Sequence, residues 1–319
     1  MFTMLLSADL CVSDPDELAS VLTSQVGLVG RPAWRQEFEG HGYIAHFLRA
    51  HKSLAVAPTR VEVIGFKPED APYDPGSSAY MQSVLASQSP NRPVKTHSTV
   101  IVTDDFDSVV ERLISRNVPF RTSMPSKYLP PERLWLGSTA EQPGYDPSAD
   151  GGLFIEIMAL APLQMPLETF DSPPPAPPEP SPGAIVRIVG RGFLVRDLRD
   201  TLTRLEKSLD WIPAAVETYP DEGFTRARMP FSLSHSATLD LIQPTSWDTP
   251  SARYLARYGP GPFYIRLSVH DLDARAELLR QAGVRFEMSD YLASAAGRVL
   301  TVDPSAAGGG LFEFVEHVD

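Results

Sequence analysis

Residues 146–152 read D-P-S-A-D-G-G, and residues 303–309 read D-P-S-A-A-G-G. Each phrase runs into an apolar strand with one acid, L-F-I-E-I carrying Glu156 and G-L-F-E-F carrying Glu313. The spacing from Asp146 to Glu156 equals that from Asp303 to Glu313, ten residues without a gap. Self-similarity at fixed spacing marks a duplicated structural unit. A lone carboxylate inside an apolar strand is costly to bury, so each copy calls for a partner to its acid.

A second repeat lies upstream of each phrase. D-F-D-S-V-V-E-R-L-I-S-R-N-V-P-F spans 105–120, and D-L-D-A-R-A-E-L-L-R-Q-A-G-V-R-F spans 271–286. Both open on an aspartate suited to cap a helix and place apolar residues on one helical face. Both stop at Asn117 or Gly283, residue types that tolerate a left-handed backbone. A strand precedes each, Ser98–Val102 and Ile265–Val269. Weaker copies begin each half: Leu5–Val12 before the helix opened by Asp14-Pro15-Asp16, and Val186–Val195 before the helix opened by Asp197. Alternating segments at 42–49, 60–65, 134–137, 224–229 and 237–242 read as further strands. The unit is strand, helix, then about three strands, at roughly 3–66, 95–160, 185–244 and 260–318.

Residues 172–182, S-P-P-P-A-P-P-E-P-S-P, cannot form a helix or central strand, because proline lacks the N–H and fixes φ. This predicts a first domain over 1–165, a linker over 166–183 and a second domain over 184–319. With 319 residues each half is long enough to bury its own core. A net charge of −12 argues against a nucleic-acid or anionic-membrane partner. The single cysteine, Cys11, excludes an internal disulfide and points to a reducing, cytoplasmic setting. No apolar run is long enough for a membrane span, and the N-terminus reads as a first strand rather than a signal peptide.

A βαβββ unit used in pairs, with the V-x-D-L-D and D-P-(x)-G-G-(x)-E signatures, resembles the vicinal oxygen chelate superfamily. That superfamily includes glyoxalase I, extradiol dioxygenases, methylmalonyl-CoA epimerase and bleomycin-resistance proteins. The resemblance implies an α+β fold of four modules, paired into two cupped mixed-sheet domains with helices on the convex side. It also implies a ligand in the concave side and metal donors at two kinds of position, the opening of a module's first strand and the acid in its last strand.

Carried onto this chain, those positions are Ser7, Glu62, His97 and Glu156 in the first half. Glu62, His97 and Glu156 are good donors for a divalent metal (Zn, Ni, Mn, Co or Fe), with Glu62 or Glu156 as the catalytic acid or base. In the second half they are Gly190, Asp240, Tyr264 and Glu313, without a histidine, which disfavours a dioxygenase of the usual layout. Arg266 should face the same cup and can neutralise Glu313 or Asp240. His97 is read as facing the cup by strand alternation, with Val100 and Val102 toward the helices; counting back from the helix instead aligns Tyr264 with Ser98.

Two readings stay open from the sequence. One is a metal-dependent isomerase or lyase of the glyoxalase type, acting on a small oxygenated molecule without a nucleotide cofactor. The other is a metal-free binding or resistance protein, in which Glu62 and Glu156 share a proton or pair with a base. Ser7, Tyr128, Trp135, Tyr264 and Arg266 are the candidate substrate contacts, with Tyr128, Trp135 and Tyr145 on or beside lid-like loops. His41 and His46 are candidates for an extra ligand or a structural role. Monomer and homodimer are both compatible with the sequence.

Overall fold

The computed structural model describes residues 2–38, 43–54, 56–66, 75–122, 132–163, 181–290 and 297–318. Two eight-stranded mixed sheets share one plan. The first holds β1 (Met4–Cys11), β2 (Arg35–Phe38), β3 (Tyr43–Arg49), β4 (Arg60–Phe66), β5 (Thr99–Thr103), β6 (Phe120–Thr122), β7 (Arg133–Leu136) and β8 (Ile155–Ala159), in the order β2-β3-β4-β1-β5-β8-β7-β6. The second holds β9 (Ile185–Leu194), β10 (Ala215–Tyr219), β11 (Phe224–Met229), β12 (Thr238–Pro244), β13 (Gly261–Val269), β14 (Phe286–Asp290), β15 (Arg298–Val302) and β16 (Phe312–Glu316), in the order β10-β11-β12-β9-β13-β16-β15-β14. Within each module the first strand runs parallel to the last. The first strands of paired modules meet antiparallel, β1 on β5 and β9 on β13. These are the four βαβββ modules that the repeats require.

Each module helix starts the same way. Asp14, Asp105, Asp197 and Asp271 accept the backbone N–H of Glu17, Ser108, Asp200 and Ala274, opening α1 (Pro15–Val21), α3 (Phe106–Ser115), α4 (Leu198–Leu209) and α6 (Leu272–Gln281). Positive φ at Asn117 and Gly283 ends two of them where the sequence indicated. The D-P-S-A-x-G-G phrase is a turn in which Gly151 and Gly152, and likewise Gly308 and Gly309, take φ between +60° and +91°.

Leu5, Leu10, Val61, Val63, Ile101 and Ile157 of the first sheet share one buried cluster with α1, α3, α4 and α6 and with Phe193, Leu239, Leu267 and Phe314 of the second sheet. The convex faces therefore meet across the helices in a continuous core. Polar ties reinforce the contact. Arg112 and Arg116 donate to the last carbonyls of α4 at Leu209, Glu206 and Lys207. Arg92, from the first half, donates to the carbonyls of Tyr258, Gly259, Pro260 and Pro262.

Two more helices, absent from the sequence reading, join the modules: α2 (Pro75–Ser87) and α5 (Pro250–Tyr258). Both sit over concave faces. Met81 of α2 packs with Cys11, Ala45, Phe47 and Ile64, and Tyr254 and Leu255 of α5 pack with Leu194, Phe224, Ile242 and Tyr264.

The structure corrects one strand register. Val100 and Val102 lie on the concave side, clustered with Met4, Leu6 and Met158, while Ile101 faces the helices. The pairs Val100↔Glu156 and Arg266↔Glu313 make Val100 the counterpart of Arg266, so Tyr264 matches Ser98. Among the described residues, no helix is long and apolar enough to cross a membrane. The proline-rich stretch falls mostly outside the described residues, as do Tyr128 and His41.

Candidate functional site

Strand register assembles a polar band across the first concave face. Ser7 lies beside Arg60, Asp9 beside Glu62, and Phe47 beside Glu62 on the other side. Glu156 and Trp135 are cross-strand neighbours. At one end of the band the α2 cluster covers Cys11 and Ile64; at the other, Leu233 from the second half packs on Met4, Leu6, Val100 and Met158. Leu233 is held there by bonds from the N–H groups of Ser232 and Leu233 to the carbonyls of Phe2 and Thr3.

His97 enters this band from the chain just before β5, not from within the strand. Its Nδ1 lies 2.5 Å from Asp9 Oδ2, and its backbone N–H donates to the same oxygen at 2.9 Å. Its Nε2 lies 3.2 Å from Ser98 Oγ. Burial opposes charge on the imidazole, but Asp9 overrides it and, with Glu62 and Glu156, holds the pKa up at about 9. Glu62 is 8% exposed, and burial raises its pKa, with Asp9 and Glu156 adding to the effect against His97 and Arg60. Glu156 is ion-paired with Arg133 Nη1 at 2.8 Å. Arg60 donates from Nε to Ser7 Oγ at 2.9 Å and lays its guanidinium over the Phe47 ring at 3.9 Å. Tyr80 of α2 stands 6.1 Å from the Trp135 ring, centroid to centroid, and its buried hydroxyl has no hydrogen-bond partner among the described residues.

The expected residues Ser7, Glu62, His97, Glu156 and Trp135 thus share one cup, whereas Tyr264 and Arg266 belong to the other. There Tyr264 donates to Asp240 Oδ2 at 2.7 Å, and Arg266 holds Glu313 through Nε and Nη2 at 2.9 and 2.7 Å. The second cup is an internally neutralised set, as the absence of histidine at Gly190 and Tyr264 suggests. His46, on the helix side, pairs with Asp16 at 2.6 Å. Cys11 is buried, and burial pushes its thiol up to about 12, a poor nucleophile.

The donor set does not fit a metal ion as it stands. A metal takes a neutral imidazole and unpaired carboxylates. His97 is an imidazolium at neutral pH with both nitrogens engaged, and Glu156 is committed to Arg133. Among the described residues, no group of three or more His, Cys, Asp and Glu side chains is arranged to hold one. Sequence reading missed Asp9, Arg60, Arg133 and Tyr80. The signal for Asp9 was present: a lone acid in M-L-L-S-A-D-L-C carries the same message as Glu156.

Residues 191–301 match the model of the Glyoxalase/Bleomycin resistance protein/Dioxygenase superfamily. No curated protein matches the chain. Among solved structures, a variant of 4-hydroxymandelate synthase from Streptomyces coelicolor covers 99% of this chain and 93% of its own at 15% identity, with a TM-score of 0.58. Methylmalonyl-CoA epimerase from Mycobacterium tuberculosis is 29% identical over 42% of this chain and 90% of its own, with a TM-score of 0.38. The Streptomyces coelicolor epimerase, solved with 2-nitronate-propionyl-CoA, is 25% identical over 42% of this chain and 99% of its own, with a TM-score of 0.38. The synthase shows that the fold extends over the whole chain. By sequence the superfamily is matched in the second half, and by fold the whole chain repeats the four-module plan of the synthase.

Proposed function

We propose that the chain is a glyoxalase-like enzyme whose site is the first cup and whose chemistry is proton transfer on a small oxygenated molecule, of the isomerase or lyase type. The observation that carries this reading is the Asp9–His97 pair set beside Glu62 on one concave face. Burial raises the Glu62 carboxyl toward the range in which a general base works best. The imidazolium of His97, held by Asp9 at Nδ1, becomes a charged donor when its Nε2–H exchanges Ser98 for a substrate oxygen that gains electron density. Glu62 takes a proton from a carbon next to a carbonyl while His97 stabilises the enolate oxygen. Proton return from Glu62 to the neighbouring carbon, on the same face of the enolate, gives isomerisation; loss of a β-substituent gives elimination. Because the donor set does not fit a metal, no step passes through one.

The test is hydrogen exchange. In D2O, the protein should speed deuterium incorporation at the carbon α to the carbonyl of small keto compounds, followed by NMR, and Glu62→Gln should abolish it. A second reading, ligand sequestration without turnover, draws support from α2 seated over the same cup. Ligand binding without exchange would favour that reading.

A further inference from the structure

Arg60 is a half-buried guanidinium without an acid. Among the described residues, no carboxylate lies within ion-pair distance of it. Its partners are the Ser7 hydroxyl, which accepts from Nε, and the Phe47 ring beneath it. Burial pushes its pKa down to about 10, which records how poorly the charge is compensated. The neighbouring cations Arg49 and Arg133 add to the deficit. Arg133 is spent on Glu156, and Arg49, the cross-strand neighbour of Arg60, is stacked on Trp34 at 4.2 Å. Glu62 is the nearest candidate on the same strand, but the pair is not closed. Compare the second cup, where Arg266 makes two bonds to Glu313. A guanidinium desolvated without an anion is an unfavourable arrangement unless an anion arrives from outside. Nη1 and Nη2 of Arg60 have no hydrogen-bond partner among the described residues, and the Ser7 hydroxyl keeps its own proton to donate.

We propose that the first cup takes a small organic acid, its carboxylate gripped by the outer nitrogens of Arg60 and the hydroxyl of Ser7, so that the remainder of the molecule lies toward Glu62 and His97. This deepens the proposed function and rests on its choice of cup. Planar guanidinium and planar carboxylate match in two parallel hydrogen bonds, which a neutral amide or ester cannot reproduce. Phe47 under the guanidinium keeps it flat and faced into the cup. Trp135 and Tyr80, on the same face, offer apolar surface to the body of the acid.

The experiment is calorimetric titration of the full-length protein, at neutral pH and low salt, with propionate, benzoate and phenylacetate, each against its own amide. The acids should bind and the amides should not. Arg60→Gln should weaken the best acid by roughly tenfold or more, the scale of a lost charge-assisted bond, and Arg60→Lys should retain part of the affinity as a point charge. Circular dichroism and melting confirm that the variants are folded; if Arg60→Gln does not fold, Arg60→Lys and Ser7→Ala carry the comparison. Amides binding as tightly as acids, no acid binding at all, or acid binding unchanged in the folded Arg60 and Ser7 variants overturns the proposal. Binding of acids that depends on Arg60, with no deuterium exchange in the small keto compounds of the first test, leaves the carboxylate site standing and overturns the catalytic reading instead.

Discussion

His97 Nδ1 and Asp9 Oδ2 lie 2.5 Å apart inside the first cup, and the backbone N–H of His97 donates to the same oxygen. The contact fixes the imidazole and its charge together. Its consequence for stability follows from linkage. The folded-state pKa of His97 stands at about 9, against 6.5 for the ordinary side chain. The stabilisation is therefore complete below about pH 6.5 and is lost as pH rises through 9. A shift of this size corresponds to about 3 kcal/mol. Wild-type protein minus His97→Gln, compared by urea unfolding from pH 6 to pH 10, should narrow by about that amount. The His97 ring proton in NMR should titrate near pH 9 and move to lower pH in Asp9→Asn.

Asp150 carries the opposite chemistry to the same conclusion about pH. Fully buried, it accepts from the Tyr145 hydroxyl and from the N–H groups of Gly152 and Ile155. Burial outweighs these bonds and pushes its pKa up to about 6, from 3.8. The folded state then holds its proton more tightly than the unfolded chain does, so stability falls as pH rises from about 4 to 6. Ala307 stands at this place in the second phrase. The stability difference between wild type and Asp150→Asn should shift by about 3 kcal/mol between pH 4 and pH 7. A pH-independent difference would show that the carboxyl does not change charge there.

Metal content separates the two readings left open by the sequence. With His97 charged and Glu156 tied to Arg133, protein purified without a histidine tag should carry far less than one equivalent of Zn, Ni, Mn, Co or Fe. Adding these ions should leave the melting temperature unchanged. Stoichiometric metal that is lost in His97→Ala would falsify the metal-free cup.

The parts legible in the sequence are those written locally. Four aspartate caps, two left-handed stops and the D-P-S-A-x-G-G turn each depend on residues within a few positions, and each occurs at least twice. Glu156 and Glu313 were recognisable because a charge in an apolar strand has few explanations. The register of β5 was not legible, because both of its faces are apolar. Val100 and Val102 face the concave side, where Leu233, far away in sequence, covers them. Alternation cannot assign a face when neither is polar. The pairing of Glu156 in β8 with Arg133 in β7, and of Asp9 in β1 with His97 just before β5, depends on strand neighbours that sequence spacing does not supply.

The Arg266–Glu313 pair should behave as a structural bond and not as part of the first cup. Both side chains are largely buried, 8% and 12% exposed. Removing one partner strands the other, at a cost of about 3 kcal/mol. Glu313→Gln should therefore lower stability in urea unfolding while leaving acid binding at the first cup within a factor of about two, the usual independence of distant sites. A matching loss of affinity would place the two cups in one functional unit.

The second cup is filled from within, and Gly192 makes that possible. A Cβ built on Gly192 would stand 2.7 Å from the Tyr264 ring, closer than real contacts allow. The ring thus occupies the space that a side chain at this position would need, and its hydroxyl is anchored on Asp240. Arg266 stacks on the same ring, 4.3 Å from its centroid. Gly192→Ala should cost about 1–3 kcal/mol by overpacking. Replacing the ring as well, in Gly192→Ala/Tyr264→Leu, should cost less than the sum of the two single changes, because the added methyl then finds room. Strict additivity in urea unfolding would mean that Tyr264 does not lie against Gly192, and that the second cup is open.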